Sequence, residues 1–215
     1  MIGVHYPPLP LWTTRRSFMR YIDGDMYMRY FAGSYDWLTA LSGWRRKLAH
    51  HALEGIEPCL ILDVGCGTGY LMSLARAKKF QARGVDPSAG MLRKARKIHG
   101  FSAEELYQST ADKLPFEAAT FDFVVASGSL CYVPHMPQTA QEISRVLKQG
   151  GRLRIIDHAV PKERNAFTGC VAVFSQISGD LLHDYEYYFS SFCQLLKHQT
   201  LGRGGFLQQF DFVKN

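Results

Sequence analysis

The chain has 215 residues, 47% of them hydrophobic and 20% charged, with a formal net charge of +6. That is enough to bury a core, and the composition excludes a disordered, collagenous or low-complexity chain. Cysteines at 59, 66, 131, 170 and 193 form no CxxC pair, so neither a disulfide framework nor a zinc finger is encoded and no metal site is expected. No apolar run approaches the ~20 residues of a membrane-spanning helix. The opening MIGVHYPPLPLW lacks the basic region and apolar stretch of a signal peptide, and a cytoplasmic location is the expectation.

Residues 11 to 55 are rich in aromatics and arginines, among them Trp12, Tyr21, Tyr30, Tyr35, Trp37 and Trp44, and read as one or two helices forming an appendage over residues 1–55. Residues 56–215 form the main domain. There the hydrophobic period alternates between strand and helix, the signature of stacked βαβ units. CLILDV (59–64) reads as a strand buried on both faces, followed by a glycine turn at 65–69. Leu71, Leu74 and Ala75 then recur at helical spacing up to Lys78-Lys79. ARGVD (82–86) is the second strand, and Met91, Leu92, Ala95 and Ile98 mark one face of a helix that Gly100 ends. EELYQS (104–109), FDFVVAS (121–127) and GRLRIIDH (151–158) are the third to fifth strands. Before the fifth, a helix starts near Pro137, carries Ala140, Ile143 and Leu147, and stops at Gly150-Gly151. The result is a doubly wound α/β fold with a mainly parallel sheet and helices on both faces. The aromatic segment 160–200 (Tyr185, Tyr187, Tyr188, Phe189, Phe192) is inserted after the fifth strand and reads either as a lid or as a packing surface. GGFLQQFDFV (204–213) is expected as a sixth strand, which leaves no residues for a seventh.

Gly65, Gly67 and Gly69, between a strand and a helix, let the backbone turn sharply and approach a ligand. A dinucleotide fingerprint would place its third glycine where Tyr70 stands. Asp86 ends the next strand, where a carboxylate can accept both hydroxyls of a ribose. Between 69 and 99, Arg76, Lys78, Lys79, Arg83, Arg93, Lys94, Arg96 and Lys97 face the single acid Asp86. They read as a solvated outer face or as an attraction for anionic lipid. No basic stripe is interleaved with stacking aromatics, so no nucleic-acid partner is expected.

These residues resemble the class I S-adenosylmethionine (SAM)-dependent methyltransferases. LDVGCGTGY (62–70), GVDPSAGML (84–92), TADKLPF (110–116), FDFVVASGSLCYV (121–133) and RVLKQGGRLRIID (145–157) look like their five motifs, in order. The segment YFAGSYDWLTALSGWRRKLAHHAL (30–53) is similar to the entry helix of the ubiquinone and menaquinone biosynthesis methyltransferases. The resemblance implies a Rossmann-like fold with an N-terminal helical lid, SAM as cofactor and S-adenosylhomocysteine as product. It also implies roles. Asp63 would order the loop and face the methionine amino group, with Gly65, Cys66 and Gly67 against the cofactor. Asp86 would take the ribose hydroxyls, and Pro87 and Met91 would border the adenine. Ala111 and Asp112 would read the adenine edge, Ser127 would lie near the sulfonium, and Tyr35 would close over the methionine end. Taken alone, Asp112 reads first as a loop carboxylate capping its own turn, and the company of the other four motifs is what favours the adenine.

A general base is needed only if the acceptor must lose a proton. His158, ending the fifth strand, is the first candidate, ahead of His135, Tyr132 and His183; each histidine also reads as a structural hydrogen-bonding residue. The aromatic flanks favour a small aromatic or lipophilic acceptor: a quinone precursor, a phospholipid at a membrane surface or a secondary metabolite. A SAM-binding protein without turnover and a dinucleotide-dependent oxidoreductase are the competing readings.

Overall fold

The structure, a computed structural model, describes residues 44–160, 181–201 and 205–215; Tyr30, Tyr35 and the expected lid before residue 44 lie outside them. In chain order the elements are α1 (Trp44–Leu53), β1 (Leu60–Val64), α2 (Tyr70–Ala77), β2 (Gln81–Asp86), α3 (Ala89–His99), β3 (Leu106–Gln108) and β4 (Phe121–Ser127). A 3-10 turn (Leu130–Tyr132), α4 (Met136–Val146), β5 (Leu147–His158), α5 (Tyr185–Phe189), β6 (Cys193–Thr200) and β7 (Leu207–Lys214) follow. The seven strands form one sheet in the order β3-β2-β1-β4-β5-β7-β6. Strands β1 to β5 run parallel, and β7 is antiparallel to both β5 and β6.

Residue alternation along the strands builds a core on each face of the sheet. Leu62, Val64, Val124, Ala126, Leu153 and Ile155 pack against α4 and α5 on one face. Ile61, Phe123, Val125 and Ile156 pack against α1 and α2 on the other. Met72, Leu92, Ala95, Phe101 and Leu106 join α2 and α3 to β3. Helix α3 has the punctuation its sequence suggests: Ser88 caps it by accepting from the Met91 N–H, and Gly100 ends it in the left-handed region at φ 67°.

One buried network ties α1 to the sheet. Arg154, 5% exposed, donates from Nη1 to the carbonyls of His51 (2.8 Å), Ala52 (3.3 Å) and Glu54 (2.7 Å) at the end of α1. Its Nε and Nη2 donate to the Asp211 carboxylate of β7 at 2.5 and 3.2 Å. The guanidinium thus satisfies carbonyls that a helix end leaves without partners, and its own charge is met by an acid.

The structure corrects three expectations and decides between two alternatives for a fourth. The seventh strand is present: residues 207–214 are β7, and the edge strand β6 is Cys193–Thr200. The polar segment CQLLKHQT hid β6, because only Cys193 is buried and a register shift between Leu195 and Lys197 breaks the alternation; edge strands carry such features. Helix α4 ends at Val146, not at Gly150-Gly151, because Leu147 already pairs with Phe121. Gly150, at φ 69°, instead serves the irregularity between that pair and Phe123–Arg152. Ile98 is 63% exposed and does not belong to the buried face of α3. Tyr185 and Phe189 are fully buried in the core, so these two act as packing and not as a lid.

Candidate functional site

Register brings the predicted acids to one rim. Asp63 pairs with Gly84 and Val125, and Ser127 pairs with Ile156. Paired residues of parallel strands share a face, so Asp63, Asp86, Ser127 and His158 all stand on the face of α1 and α2, at the carboxyl ends of β1, β2, β4 and β5. That is where ligands bind in open α/β sheets.

Gly65, Gly67 and Gly69 have φ of 75°, 53° and 77°, a region open mainly to glycine. The N–H groups of Gly65 and Cys66 both donate to the Val85 carbonyl (2.8 and 3.0 Å), fastening the loop to β2. The three glycines answer to different needs. A Cβ on Gly65 would stand 2.3 Å from the Ser129 Cβ, and one on Gly69 would stand 2.7 Å from the Phe101 ring. A Cβ on Gly67 would meet nothing within 4 Å. Among the described residues, Gly67 alone of the three faces open space.

The two carboxylates differ in how far they are satisfied. Asp86, 6% exposed, accepts from the Gly67 N–H on one oxygen and the Ser88 N–H on the other, each at 2.9 Å. Burial raises its pKa, and the Ser88 and Gly67 hydrogen bonds oppose the rise. Each oxygen keeps accepting capacity for a further donor. Asp63 is 3% exposed, and its Oδ2 has no hydrogen-bond partner among the described residues. Burial, and then the nearby charge of Asp86, push its pKa up to about 7. An ionised buried oxygen without a partner is costly, and a cationic donor is the group that would relieve it.

The other predicted residues surround this rim. Pro87 is exposed, and its carbonyl accepts from Gln108 Nε2. Met91 is 5% exposed in the first turn of α3. Cys66 is buried in the loop, and burial pushes its thiol well above the ordinary value. Ala111 and Asp112 are half-buried after β3, in a turn closed by the Lys113 N–H donating to the Thr110 carbonyl and by Ser109 Oγ donating to the Lys113 carbonyl. The Asp112 carboxylate is not what holds that turn. Tyr35 lies outside the described residues.

At the end of β5, His158 is half-buried, and its carbonyl accepts from the Tyr185 hydroxyl at 3.3 Å. His183 shares a hydrogen bond of 3.0 Å with the Val133 carbonyl and lies against the Tyr185 and Tyr188 rings. Burial lowers its pKa, as suits a structural histidine. Sequence reasoning missed Ser129 and the main work of Asp157. Asp157, 1% exposed, faces away from His158, and its Oδ2 accepts from the N–H groups of Ser129 (2.9 Å), Leu130 (2.7 Å) and Cys131 (3.2 Å). The available signal was an acid at a strand end on the face of the β4–α4 connection. Among the described residues no group of three or more His, Cys, Asp or Glu could hold a metal ion.

Residues 62–155 match the family described as Methyltransferase domain. The chain is 35% identical over 141 residues to a demethylmenaquinone methyltransferase of Chlorobaculum tepidum, covering 61% of this chain and 57% of the relative. It is 36% identical over 118 residues to a phosphatidylethanolamine N-methyltransferase of Cereibacter sphaeroides, covering 53% and 56%. The chain thus spans little more than half the length of these relatives. In fold it is similar to the crystal structure of a SAM-dependent methyltransferase from Thermotoga maritima, a possible histamine N-methyltransferase, with a TM-score of 0.69 and 21% identity over 87% of this chain and 98% of that one.

Proposed function

Residues 62–155 match the family described as Methyltransferase domain, and we propose that this chain is a class I SAM-dependent methyltransferase that moves the methyl group of SAM to a small aromatic or lipophilic acceptor. The observation that carries this reading is Asp63: a fully buried carboxylate oxygen without a partner among the described residues, at the strand rim beside a glycine with no described atom within 4 Å of its would-be Cβ. The residues present fit the donor. Asp63 would hold its ammonium group, Gly65, Cys66 and Gly67 would lie along it, and Asp86 would accept its ribose hydroxyls through charge-assisted hydrogen bonds. Pro87 and Met91 would border the adenine, Ala111 and Asp112 would read its edge, and Ser127 would stand near the sulfonium.

When bound, SAM supplies the electrophilic methyl group and its own leaving group. What remains for the chain is to orient the acceptor and exclude water, which contributes up to ~7–11 kcal/mol in well-oriented reactions. His158, on the same face as Asp63 and Ser127, takes the proton of an acceptor such as a phenol or an acidic carbon. The aromatic and lipid acceptors named in two relatives support this acceptor class. The exposed cations of α2 and α3, with Arg93, Lys94 and Lys97 among them, support contact with an anionic membrane surface. Among the described residues no helix is long and apolar enough to cross a membrane.

Calorimetric titration with SAM and with NAD, followed by transfer of labelled methyl to cell extracts fractionated by polarity, tests the reading. SAM should bind, NAD should not, and label should appear in a lipophilic fraction. Failure to bind SAM refutes the site, and binding without label in any fraction refutes the transferase.

A further inference from the structure

Asp157 stands behind the candidate site, with its side chain on the opposite face of β5 from His158. Three successive N–H groups, of Ser129, Leu130 and Cys131, converge on its Oδ2, and the His158 N–H donates to its Oδ1 at 2.8 Å. The first residue it holds is the one that touches the glycine loop. Ser129 Oγ donates to the Val64 carbonyl at 2.7 Å, and the Ser129 Cβ fills the space where a Gly65 side chain would start. One continuous chain of contacts therefore runs from the end of β5, through the connection after β4, to the end of β1.

We propose that Asp157 is a positioning residue for methyl transfer: by holding the Ser129–Cys131 backbone it keeps Ser129 against Val64 and Gly65, and so keeps the glycine loop in the shape that binds the donor. The inference rests on the assignment of that loop to SAM. An amide cannot replace this carboxylate. In either orientation, Asp157→Asn turns an N–H₂ group toward backbone N–H groups that now donate to oxygen. Ser129→Ala leaves the carboxylate and its hydrogen bonds in place and removes only the link to Val64.

Asp157→Asn, Ser129→Ala, the double variant and the core control Ile143→Val are compared with the parent protein, well below each melting temperature. SAM dissociation constants come from calorimetry, and amide exchange is followed at Gly65–Gly69. Asp157→Asn should weaken SAM binding roughly tenfold and Ser129→Ala severalfold, the size of effects transmitted through contiguous contacts. The double variant should be no weaker than Asp157→Asn alone, because both cut one chain of contacts. Ile143→Val should lower the melting temperature and leave SAM affinity unchanged. SAM affinity within twofold of the parent in folded Asp157→Asn overturns the proposal, as does equal weakening in Ile143→Val. If the parent binds no SAM, the SAM assignment fails on its own. Exchange then still decides the positioning role: faster exchange at Gly65–Gly69 in Asp157→Asn and Ser129→Ala than in Ile143→Val upholds it, and equal exchange overturns it.

Discussion

If the Asp63 carboxylate holds the donor's ammonium group, SAM binding must depend on pH in a way the buried acid dictates. Its pKa stands at about 7 against an ordinary 3.8, raised by burial and by Asp86. A group at about 7 is ionised in about a tenth of molecules at pH 6 and about nine tenths at pH 8. Only the ionised form pairs with a cation, so apparent affinity should rise about tenfold over that interval, with proton release at the acid end. The same shift acts on folding. The native state binds the extra proton between 3.8 and about 7, so the stability of the ligand-free protein is fully present below the lower value and falls as pH rises through the upper one. The fall amounts to about 4 kcal/mol if the unfolded carboxyl is ordinary. Asp63→Asn should flatten both profiles. It should also weaken SAM binding at pH 8 by about 1.5–3 kcal/mol, the worth of a hydrogen bond to a charged group. Calorimetry across pH in buffers of different ionisation enthalpy reads affinity and proton release together. Parent binding that is flat from pH 6 to pH 8, or an Asp63→Asn variant with an unchanged profile, would refute the assignment.

Gly65→Ala and Gly67→Ala share the strain of a positive φ, about 1–2 kcal/mol, but only the first collides with Ser129. Thermal melts should therefore show Gly65→Ala the less stable, and calorimetry should show Gly67→Ala weakened in SAM binding; equal melts would contradict the packing argument. Arg154→Met leaves Asp211 buried without its cation and should cost about 3–5 kcal/mol in chemical denaturation, a reading undone by a midpoint equal to the parent's. His158→Ala should lower kcat by about 10²-fold or more with SAM affinity unchanged if the imidazole is the base, and full turnover removes it from the mechanism.

The central strands were legible because both of their faces are covered. CLILDV and FDFVVAS are near-continuous apolar runs, and β4 is Phe121–Ser127 as read. The margins were not. β6 satisfies one partner and the solvent, so nothing in CQLLKHQT had to alternate, while β7 carries Gln208, Gln209 and Asp211 into the interior. Those buried polar groups are affordable only because Gln208 reaches the carbonyls of Val160 and Gly205 and Asp211 meets Arg154; such pairings are long-range and leave no local periodicity. At the candidate site, residue types were readable and their division of labour was not. Three glycines look alike in sequence, and only folding reveals that Ser129 and Phe101 exclude a side chain at two of them.

The same division explains why two acids share one buried rim. Asp63 and Asp86 are 3% and 6% exposed, and each is raised by burial. Asp86 is anchored by two backbone N–H groups that oppose the rise from burial, and its charge pushes its neighbour's pKa upward. Asp63, whose Oδ2 has no partner among the described residues, would be the adjustable member, neutral without a ligand and charged when a cation arrives. A fold gains no stability from holding an acid in that condition. A ligand with a positive charge at one end and sugar hydroxyls at the other would remove the cost at Asp63 and use the spare lone pairs of Asp86, and that match of charge to one acid and hydroxyls to the other is the reason for proposing a nucleoside bearing a cationic chain at this rim.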